Sequence, residues 1–440
     1  MSRWDFWIDR GGTFTDVVAR DPEGAIHTAK LLSENPEQYE DAALAGIRGF
    51  LGLGPTDAIP ADRINAVKMG TTVATNALLE RKGDRTLLVI TKGLRDQLRL
   101  AYQNRPRLFD RHIVLPELLY EQVIEADERM LADGTVETPL DEAALARDLA
   151  AAKASGIDAV AIVFVHAYRH TAHEKRAAEL AREAGFGQVS TSHEVSPLMK
   201  MVSRGDTTVV DAYLSPILRR YVDRVAAAFD RVGEDEGAEA LGGKLMFMMS
   251  SGGLTDATLF QGKDAILSGP AGGVVGAVRT SEIASESKMI GFDMGGTSTD
   301  VCHYDGEFER VLHTEVAGVR LRAPMMHIHT VAAGGGSLLQ YRDGRLQVGP
   351  ASAGAHPGPA CYGRGGTRPT VTDAQVVAGV LRPARFFGGR MDLRADLACD
   401  ALGALGLGPP EHAADMALSM VNGAMAAAVR LVSTARGVDP

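Results

Sequence analysis

The sequence DRGGTFTD at residues 9–16 recurs much later in the chain as DMGGTSTD at residues 293–300. The two stretches agree at six of eight positions, and a short apolar run stands on both sides of each. Glycine-rich stretches between two apolar runs are typical of tight β-hairpin loops. We therefore predict the same strand–loop–strand hairpin twice, once in each half of the chain.

A loop of this kind can bind phosphate. Glycines allow backbone N–H groups to approach a phosphate because no Cβ is in the way, and neighbouring hydroxyls add donors. One copy is more often a plain turn. Two nearly identical copies can clamp one polyphosphate between them. The candidate phosphate-binding residues are Gly11, Gly12, Thr13, Thr15, Gly295, Gly296, Thr297 and Thr299.

Each loop also begins and ends with an aspartate. A leading carboxylate can hold a divalent cation directly or through water, which makes Asp9 and Asp293 candidates for catalytic Mg²⁺ ligation. Asp16 and Asp300 close the loops. They could orient the group that accepts phosphate, or they could cap the turn by accepting backbone N–H bonds.

The segments between the two copies alternate between buried strands and amphipathic helices. Apolar runs at 86–91 and 159–165 predict strands. Residues 141–154 have helical periodicity, and residues 171–174 form a capping-box signature before another helix. This alternation predicts an α/β fold. A polar stretch rich in Gly and Glu at 233–243 suggests a division into domains 1–231 and 232–440.

Composition narrows the class of partner. The chain has 440 residues, of which 45% are hydrophobic and 23% charged, with a net charge of -10 and an isoelectric point near 5.7. An acidic globular protein is a poor match for nucleic acid or anionic lipid. Three cysteines without a Cys-x-x-Cys pair indicate a reducing compartment. With no signal segment and no apolar stretch of membrane-spanning length, we expect a cytoplasmic protein with neither nucleic-acid nor membrane partners.

The duplicated loops resemble the paired phosphate loops of the actin, Hsp70 and sugar-kinase ATPase superfamily. Longer stretches narrow the resemblance to the hydantoinase A and 5-oxoprolinase family, and residues 102–110 and 328–337 resemble its bacterial 5-oxoprolinase branch most. The other stretches that carry the resemblance are residues 6–16, 31–36, 70–83, 268–273 and 358–363.

The resemblance implies two ribonuclease-H-like lobes with ATP in the cleft between them. Because the family continues past residue 440, we expect a fragment whose second lobe is truncated. The implied activity is ATP-dependent hydrolysis of 5-oxo-L-proline to L-glutamate, with ADP and phosphate, through phosphorylation of the lactam carbonyl oxygen. The implied cofactors are ATP, Mg²⁺ and K⁺. The implied partners are the lactam and a hydantoinase B-like half on the same or a separate chain, in an oligomer.

Other functions stay open at this point. Within the family, an ATP-dependent N-methylhydantoinase or a ketone carboxylase subunit is possible. Outside it, an Hsp70- or actin-like protein could use nucleotide to gate binding, and its ATP hydrolysis would not depend on a lactam.

Further candidates lie outside the two loops. Gly334, Gly335 and Gly336 could bring backbone donors to a ligand or could form a plain turn. His327 and His329 would share one face of a strand, which allows a transition-metal pair or ordinary packing, since two histidines fall short of a full ligand set.

Four residues are tentative substrate ligands. Arg105 and Arg107 flank a proline in an expected loop, and guanidinium groups suit a substrate carboxylate. Asn76 and Arg81 follow the turn at residues 70–72, where they could approach the cleft or only decorate a helix.

Overall fold

The computed structural model describes residues 3–103, 109–230, 241 and 243–439. The elements up to residue 227 are, in chain order, β1 (Trp4–Arg10), β2 (Phe14–Arg20), β3 (Ile26–Leu32), α1 (Ala42–Leu51), β4 (Ile64–Thr71), α2 (Val73–Leu79), β5 (Thr86–Thr91), α3 (Gln97–Leu100), β6 (Gln122–Ala126), β7 (Arg129–Met130), β8 (Val136–Thr138), α4 (Glu142–Ala154), β9 (Ala159–Val163), α5 (Ala172–Glu183), β10 (Gln188–Thr191), α6 (Ser192–Val195) and α7 (Met201–Ala227).

The remaining elements follow from residue 245. They are β11 (Leu245–Met248), β12 (Leu254–Asp256), α8 (Ser268–Ile283), β13 (Lys288–Met294), β14 (Thr299–Asp305), β15 (Arg310–Val311), β16 (Thr314–Val316), β17 (Val319–Leu321), β18 (Met325–Met326), β19 (His329–Val331), β20 (Ser337–Arg342), β21 (Arg345–Ser352), α9 (Val371–Val377), α10 (Ala395–Gly403) and α11 (Pro410–Val432).

The first hairpin, β1 and β2, lies within a six-stranded sheet with the order β12-β11-β4-β1-β2-β3. Strand β1 runs antiparallel to β2 and parallel to β4. Side chains alternate between the two faces of a strand. Phe6 and Ile8 therefore enter the core on the face that α1 covers, where Val17 and Ile47 are also buried. Asp9, one residue after Ile8, lies on the opposite face.

A second sheet, with the order β10-β9-β5-β6, is parallel throughout. Its strand β5 is buried on both faces. Leu88 and Ile90 belong to the core shared with α7, whereas Leu87 and Val89 belong to a separate core with α4 and α5. A strand covered by helices on both sides is apolar without alternation. This explains the continuous apolar run at residues 86–91.

The second hairpin lies in a three-stranded antiparallel sheet with the order β13-β14-β19. Helix α8 covers one face, where Ala271 and Val274 pack against Cys302. Helix α11 covers the other, where Ala428 packs against Val301. Each copy of the repeated motif thus forms the β-hairpin that the sequence predicts, and the α/β class is confirmed.

Helix α11 corrects one expectation. The stretch Pro410–Arg436 is long and apolar enough to cross a membrane by length and composition, with a mean hydropathy of 1.4. Its buried side, which includes Ala413, Ala417 and Val421, packs in a core with α9 and α10. Core helices share this composition with membrane spans, so a single helix of this kind is weak support for a span.

The predicted capping box at residues 171–174 is wrong. Thr171 makes no side-chain capping bond. Glu174 is instead fully buried, and its carboxylate accepts hydrogen bonds from Phe164 N (2.8 Å) and Ser192 Oγ (2.5 Å). Glu174 therefore links α5 to β9 and α6, a long-range contact that local sequence does not reveal.

The division near residue 231 stays a prediction. Strand β11 lies beyond it, yet it pairs with β4 of the first sheet.

Candidate functional site

The two glycine loops have the same local geometry and touch each other. Gly11 N donates to Phe14 O (3.0 Å), and at the equivalent position Gly295 N donates to Ser298 O (2.9 Å). A Cβ added to Gly296 would lie 2.5 Å from Thr13 Oγ1, which is closer than real Cβ contacts come. The second loop can therefore approach the first only because residue 296 is glycine.

Each loop brings two carboxylates together. Asp9 lies opposite Asp16 across the first hairpin, and Asp293 lies opposite Asp300 across the second. Like charges directly opposite each other destabilise a sheet. Burial, followed by the charges of Asp16 and Asp293, raises the pKa of Asp9 to about 6. A pair of this kind in both copies of the motif is a chemical match for a bound cation.

The carboxylate of Asp300 has a related environment. Burial chiefly, and also the charge of Asp293, raises its pKa, while a hydrogen bond from Thr330 Oγ1 (2.6 Å) acts in the opposite direction.

Helix α8 lies between the two leading aspartates. A Cβ on Gly269 would lie 3.4 Å from Asp9 Oδ1, and a Cβ on Gly273, one turn later, would lie 3.8 Å from Asp293 Oδ2. Ser268, the first residue of the helix, accepts a hydrogen bond from Thr71 N (3.1 Å). The helix N-terminus therefore presents its partial positive charge next to the acidic cluster.

Residues 268–273 are one of the glycine-containing stretches that carry the family resemblance. They are the first part of a helix.

The first loop is braced from behind by the residue that follows β3. Ser33 N donates to Thr13 O (2.9 Å), and Ser33 Oγ donates to Gly11 O (2.7 Å). Thr15 Oγ1 lies 3.0 Å from Ser33 Oγ and is fully buried. The hydroxyl of Thr15 is thus turned into the protein, because its neighbour Asp16 lies on the opposite face of the strand, which also carries Asp9.

The residues that follow β19 brace the second loop in the same way. Gly335 N donates to Gly295 O (3.0 Å), and Gly336 N donates to Gly296 O (2.6 Å). Gly334 N donates to Ser337 Oγ (2.9 Å), so all three of these glycine N–H groups have protein acceptors. The N–H groups of Gly335 and Gly336 hold the loop, and that of Gly334 bonds within its own turn.

Two threonines of the second motif differ in placement. Thr299 is fully buried and donates to Ala333 O (2.7 Å), as its counterpart Thr15 is buried in the first copy. Thr297 is exposed at the tip of its loop. We therefore propose that the two buried threonines, Thr15 and Thr299, support the loops.

The four candidate substrate ligands differ in where they lie. Asn76 lies beside the first loop, since a Cβ on Gly12 would be 3.7 Å from Asn76 Nδ2. Arg81 donates to the backbone oxygens of Leu78 (2.7 Å) and Ala317 (2.8 Å), and so ties α2 to the turn between β16 and β17. Arg105 and Arg107 lie outside the described residues.

The two histidines proposed as metal ligands, His327 and His329, lie in different surroundings. His329 is in β19, opposite Val301. His327 precedes that strand, and its Nδ1 lies 3.0 Å from a carboxylate oxygen of Glu309. Burial alone would raise the pKa of Glu309, but hydrogen bonds from Arg436, His303 and His327 lower it to about 2.

These contacts do not amount to a metal site. Within the described part of the chain, no group of three or more His, Cys, Asp and Glu side chains is arranged to hold a metal ion.

Lys30 is a charged residue of this region that the sequence analysis missed. It lies on β3 opposite Asp16, and its Nζ is 2.6 Å from Asp16 Oδ2. Hairpin register could have revealed it. The turn at residues 21–24 sets the register between β2 and β3, and in this register Asp16 lies opposite Lys30.

Comparison with known proteins places the chain in a family. The family model "Hydantoinase/oxoprolinase N-terminal region" matches residues 5–185, and "Hydantoinase/oxoprolinase" matches residues 204–440. 5-oxoprolinase 1 of Arabidopsis thaliana is 44% identical over 423 residues, which cover 89% of this chain and 33% of that protein. The chain spans about a third of the length of the curated 5-oxoprolinases that it matches.

Solved structures agree with this assignment. The crystal structure of ATP-dependent caprolactamase from Pseudomonas jessenii is 35% identical with a TM-score of 0.76, and the match covers 99% of this chain and 64% of that one. The nucleotide-free structure of acetone carboxylase has a TM-score of 0.83 at 24% identity, with coverage of 99% and 64%, and so supports the fold alone. The fold is that of the actin-like ATPases, and the chain belongs to the hydantoinase/oxoprolinase family.

Proposed function

We propose that the two loops form the phosphate-binding clamp of an ATP-dependent hydrolase of cyclic amides, with 5-oxo-L-proline as substrate. The observation that carries this proposal is the direct contact between the loops at Thr13 and Gly296, with Asp9 and Asp293 beside it. The glycine loops have the shape and the donors for a polyphosphate. The carboxylates have the charge for Mg²⁺, which favours oxygen ligands and keeps several waters.

The roles we assign to this chain follow from its geometry. The backbone N–H groups of Gly12 and Gly296 would bind phosphate oxygens, whereas those of Gly11 and Gly295 already donate within their own loops. Asp9 and Asp293 would hold Mg²⁺ through water. A bound Mg²⁺ neutralises phosphate charge and orients the phosphoryl group, the contributions on which phosphoryl transfer mostly depends.

The proposed reaction overcomes the low reactivity of a lactam. An amide carbonyl is a weak electrophile because its nitrogen donates electrons into it. Transfer of the terminal phosphoryl group of ATP to the carbonyl oxygen makes the carbonyl carbon more electrophilic, because the oxygen then becomes part of a good leaving group. Water then adds to the carbonyl carbon and the ring C–N bond breaks, so that the nitrogen leaves as an amine and the carbon is left as an acyl phosphate. A second water hydrolyses the acyl phosphate and releases phosphate. The products are L-glutamate, ADP and phosphate.

Asp300 is the better of the two closing aspartates for orienting the accepting group. Its neighbour Thr330 is neutral and leaves the carboxylate without a cationic partner in this contact, whereas Asp16 is paired with Lys30. We therefore propose Asp300 for that role and a supporting role for Asp16.

The proposal extends to a partner. The curated 5-oxoprolinases are about three times as long as this chain, and a 35% identical relative bears the name caprolactamase subunit alpha. We propose that catalysis requires a hydantoinase B-like half, on the same or a separate polypeptide, and that K⁺ supports activity.

The test is coupled product formation. The chain is assayed alone and together with a hydantoinase B-like protein, with Mg²⁺ and K⁺, with and without 5-oxoproline. ADP and glutamate are followed together. We expect equal amounts of both, lost in Asp9→Ala and Asp293→Ala variants. ADP formation that is independent of 5-oxoproline, without glutamate, would contradict the proposal.

The likeness to caprolactamase supports one second candidate, a larger lactam. Caprolactam in place of 5-oxoproline tests it in the same assay. The product then is 6-aminohexanoate, which distinguishes the two substrates directly. Hydantoin and ketone substrates, followed by protein clients, are the next tests if neither lactam is opened.

A further inference from the structure

The two halves of the site are alike in backbone but unlike in charge. In the first, β1, β2 and β3 lie side by side, and the aspartate that closes the loop pairs across to Lys30. In the second, β13, β14 and β19 repeat this order, and the aspartate that closes the loop, Asp300, pairs across to Thr330. Lys30 and Thr330 are therefore structurally equivalent positions, one cationic and one neutral.

The ammonium group of Lys30 lies on the cleft side of the sheet. Residues opposite each other in neighbouring strands share a face, so Lys30, Asp16 and Asp9 point the same way. The Nζ atom is 5.1 Å from the centre of the Phe14 ring and 2.6 Å from Asp16 Oδ2. Its charge also reaches Asp9, whose pKa it lowers against the effect of the other carboxylates.

We propose that Lys30 is a phosphate-binding residue of the nucleotide cleft, with Asp16 and Phe14 as the groups that position its ammonium. The proposal rests on the function given above, and it adds a ligand to that site. In it, Lys30 of the first half supplies a positive charge to the polyphosphate, while Asp9 and Asp293 hold the divalent cation as proposed above.

The physical reason is the arrangement of charge. A lysine ammonium is a compact charge on a flexible stem, well suited to phosphate. The salt bridge with Asp16 is half-exposed, with 45% of the Lys30 side chain and 51% of the Asp16 side chain accessible. Pairs of this exposure are weak, so the ammonium can contact a phosphate oxygen at little cost in free energy. A buried salt bridge would not permit this.

The experiment is calorimetric titration of the 440-residue chain with Mg·ATP and with AMP, at two salt concentrations. We expect Lys30→Gln to weaken Mg·ATP binding about tenfold, as for loss of one charge-assisted contact at the low end of its range. Binding of AMP, which has no terminal phosphates, should change by less than about twofold. The salt dependence of Mg·ATP binding should become weaker, because one screened attraction is gone.

Two variants serve as controls. Lys68→Gln makes the same change on the same face of the sheet, but Lys68 lies next to Trp7, with its Nζ 5.6 Å from the ring centre. It should bind Mg·ATP within about twofold of the unmodified chain if the contact is specific to Lys30. Lys30→Arg keeps the charge and should recover most of the affinity. Thermal melting of each variant without ligand verifies folding.

A double variant separates ligand binding from simple charge balance. Asp16→Asn with Lys30→Gln removes one negative and one positive charge, so the net charge of the site is unchanged. If Lys30 contacts phosphate, the double variant binds Mg·ATP as weakly as Lys30→Gln. Recovery of normal affinity would mean that Lys30 only neutralises Asp16, and would overturn the proposal.

The remaining outcomes are also decisive. Normal Mg·ATP affinity in Lys30→Gln overturns the role of Lys30 and leaves the proposed function intact. An unmodified chain that fails to bind Mg·ATP refutes the clamp itself, and with it the inference about Lys30.

Discussion

Replacing Asp9 by asparagine should make the protein more stable at neutral pH while it damages the proposed site. The pKa of Asp9 is raised from 3.8 to about 6 in the folded chain. Between these values the folded state holds more protons than the unfolded state, so the free energy of unfolding falls as pH rises through this window. Above pH 6 the folded protein carries the full cost of an ionised Asp9 next to Asp16 and Asp293. Asparagine removes that cost.

The magnitude follows from the shift. About two pKa units correspond to about 3 kcal/mol at 1.36 kcal/mol per unit. Asp9 is surrounded by protein on most sides but keeps access to solvent, so solvent screening reduces the gain to about 1 kcal/mol. For a chain of this size we expect a rise in melting temperature of about 1–2 °C at pH 7 and none at pH 4.

Asp5, on the same face of the same strand, is the matched control. Burial alone would raise its pKa, but hydrogen bonds from Arg20 and Asn65 lower it. Asp5→Asn should therefore destabilise the protein at pH 7, the opposite sign. Thermal melts of both variants from pH 4 to pH 7, without nucleotide, make the comparison. A loss of stability at pH 7 in Asp9→Asn similar to that in Asp5→Asn would refute the electrostatic account of the cluster.

Three further changes test other parts of the site. Gly296→Ala should lower the free energy of unfolding by about 1–3 kcal/mol in urea, because the added Cβ meets Thr13. The same change at Gly12, where the nearest atom is 3.7 Å away, should lower it by less than about 1 kcal/mol. Thr299→Val, which leaves the buried carbonyl of its partner without a donor, should cost about 1–3 kcal/mol, and Thr299→Ser much less. Glu309→Gln should cost about 2 kcal/mol at pH 7, and the acid-induced loss of stability between pH 5 and pH 2 should become shallower, as the lowered pKa of Glu309 requires.

The elements that sequence predicted are those whose signals are local. A glycine loop between apolar runs was sufficient for both hairpins. The helical periodicity at residues 141–154 was sufficient for α4, which Asp141 caps by accepting a hydrogen bond from Ala144 N (3.0 Å). The similarity of the two motifs pointed to a shared site, and the loops do meet.

Helix α8 could not be predicted in this way. Its first residues include three glycines and Pro270, which count against a helix. Gly269 and Gly273 are explained only by the packing of α8 against Asp9 and Asp293, which are distant in sequence. Tertiary contact thus overrides local propensity here.

The roles proposed for Thr15, Thr299 and Lys30 depend on strand register, which a single motif does not contain. Alternation along β2 puts Asp16 and Thr15 on opposite faces, so both could not face one ligand. The pairing that brings Lys30 to Asp16 is likewise a property of two strands together. Motif matching considers residues within one stretch, and therefore missed both facts.

The similarity of the two halves affects the orientation in which an elongated ligand can bind between them. A cradle made of two equal halves would accept a molecule with unlike ends in either of two orientations, and only one of them could be productive. Position 30 of the first half is lysine, whereas the equivalent position 330 of the second half is threonine, and this makes the halves unequal. One difference between equivalent strands is therefore enough to distinguish the two ends of the site and to favour one orientation of the ligand.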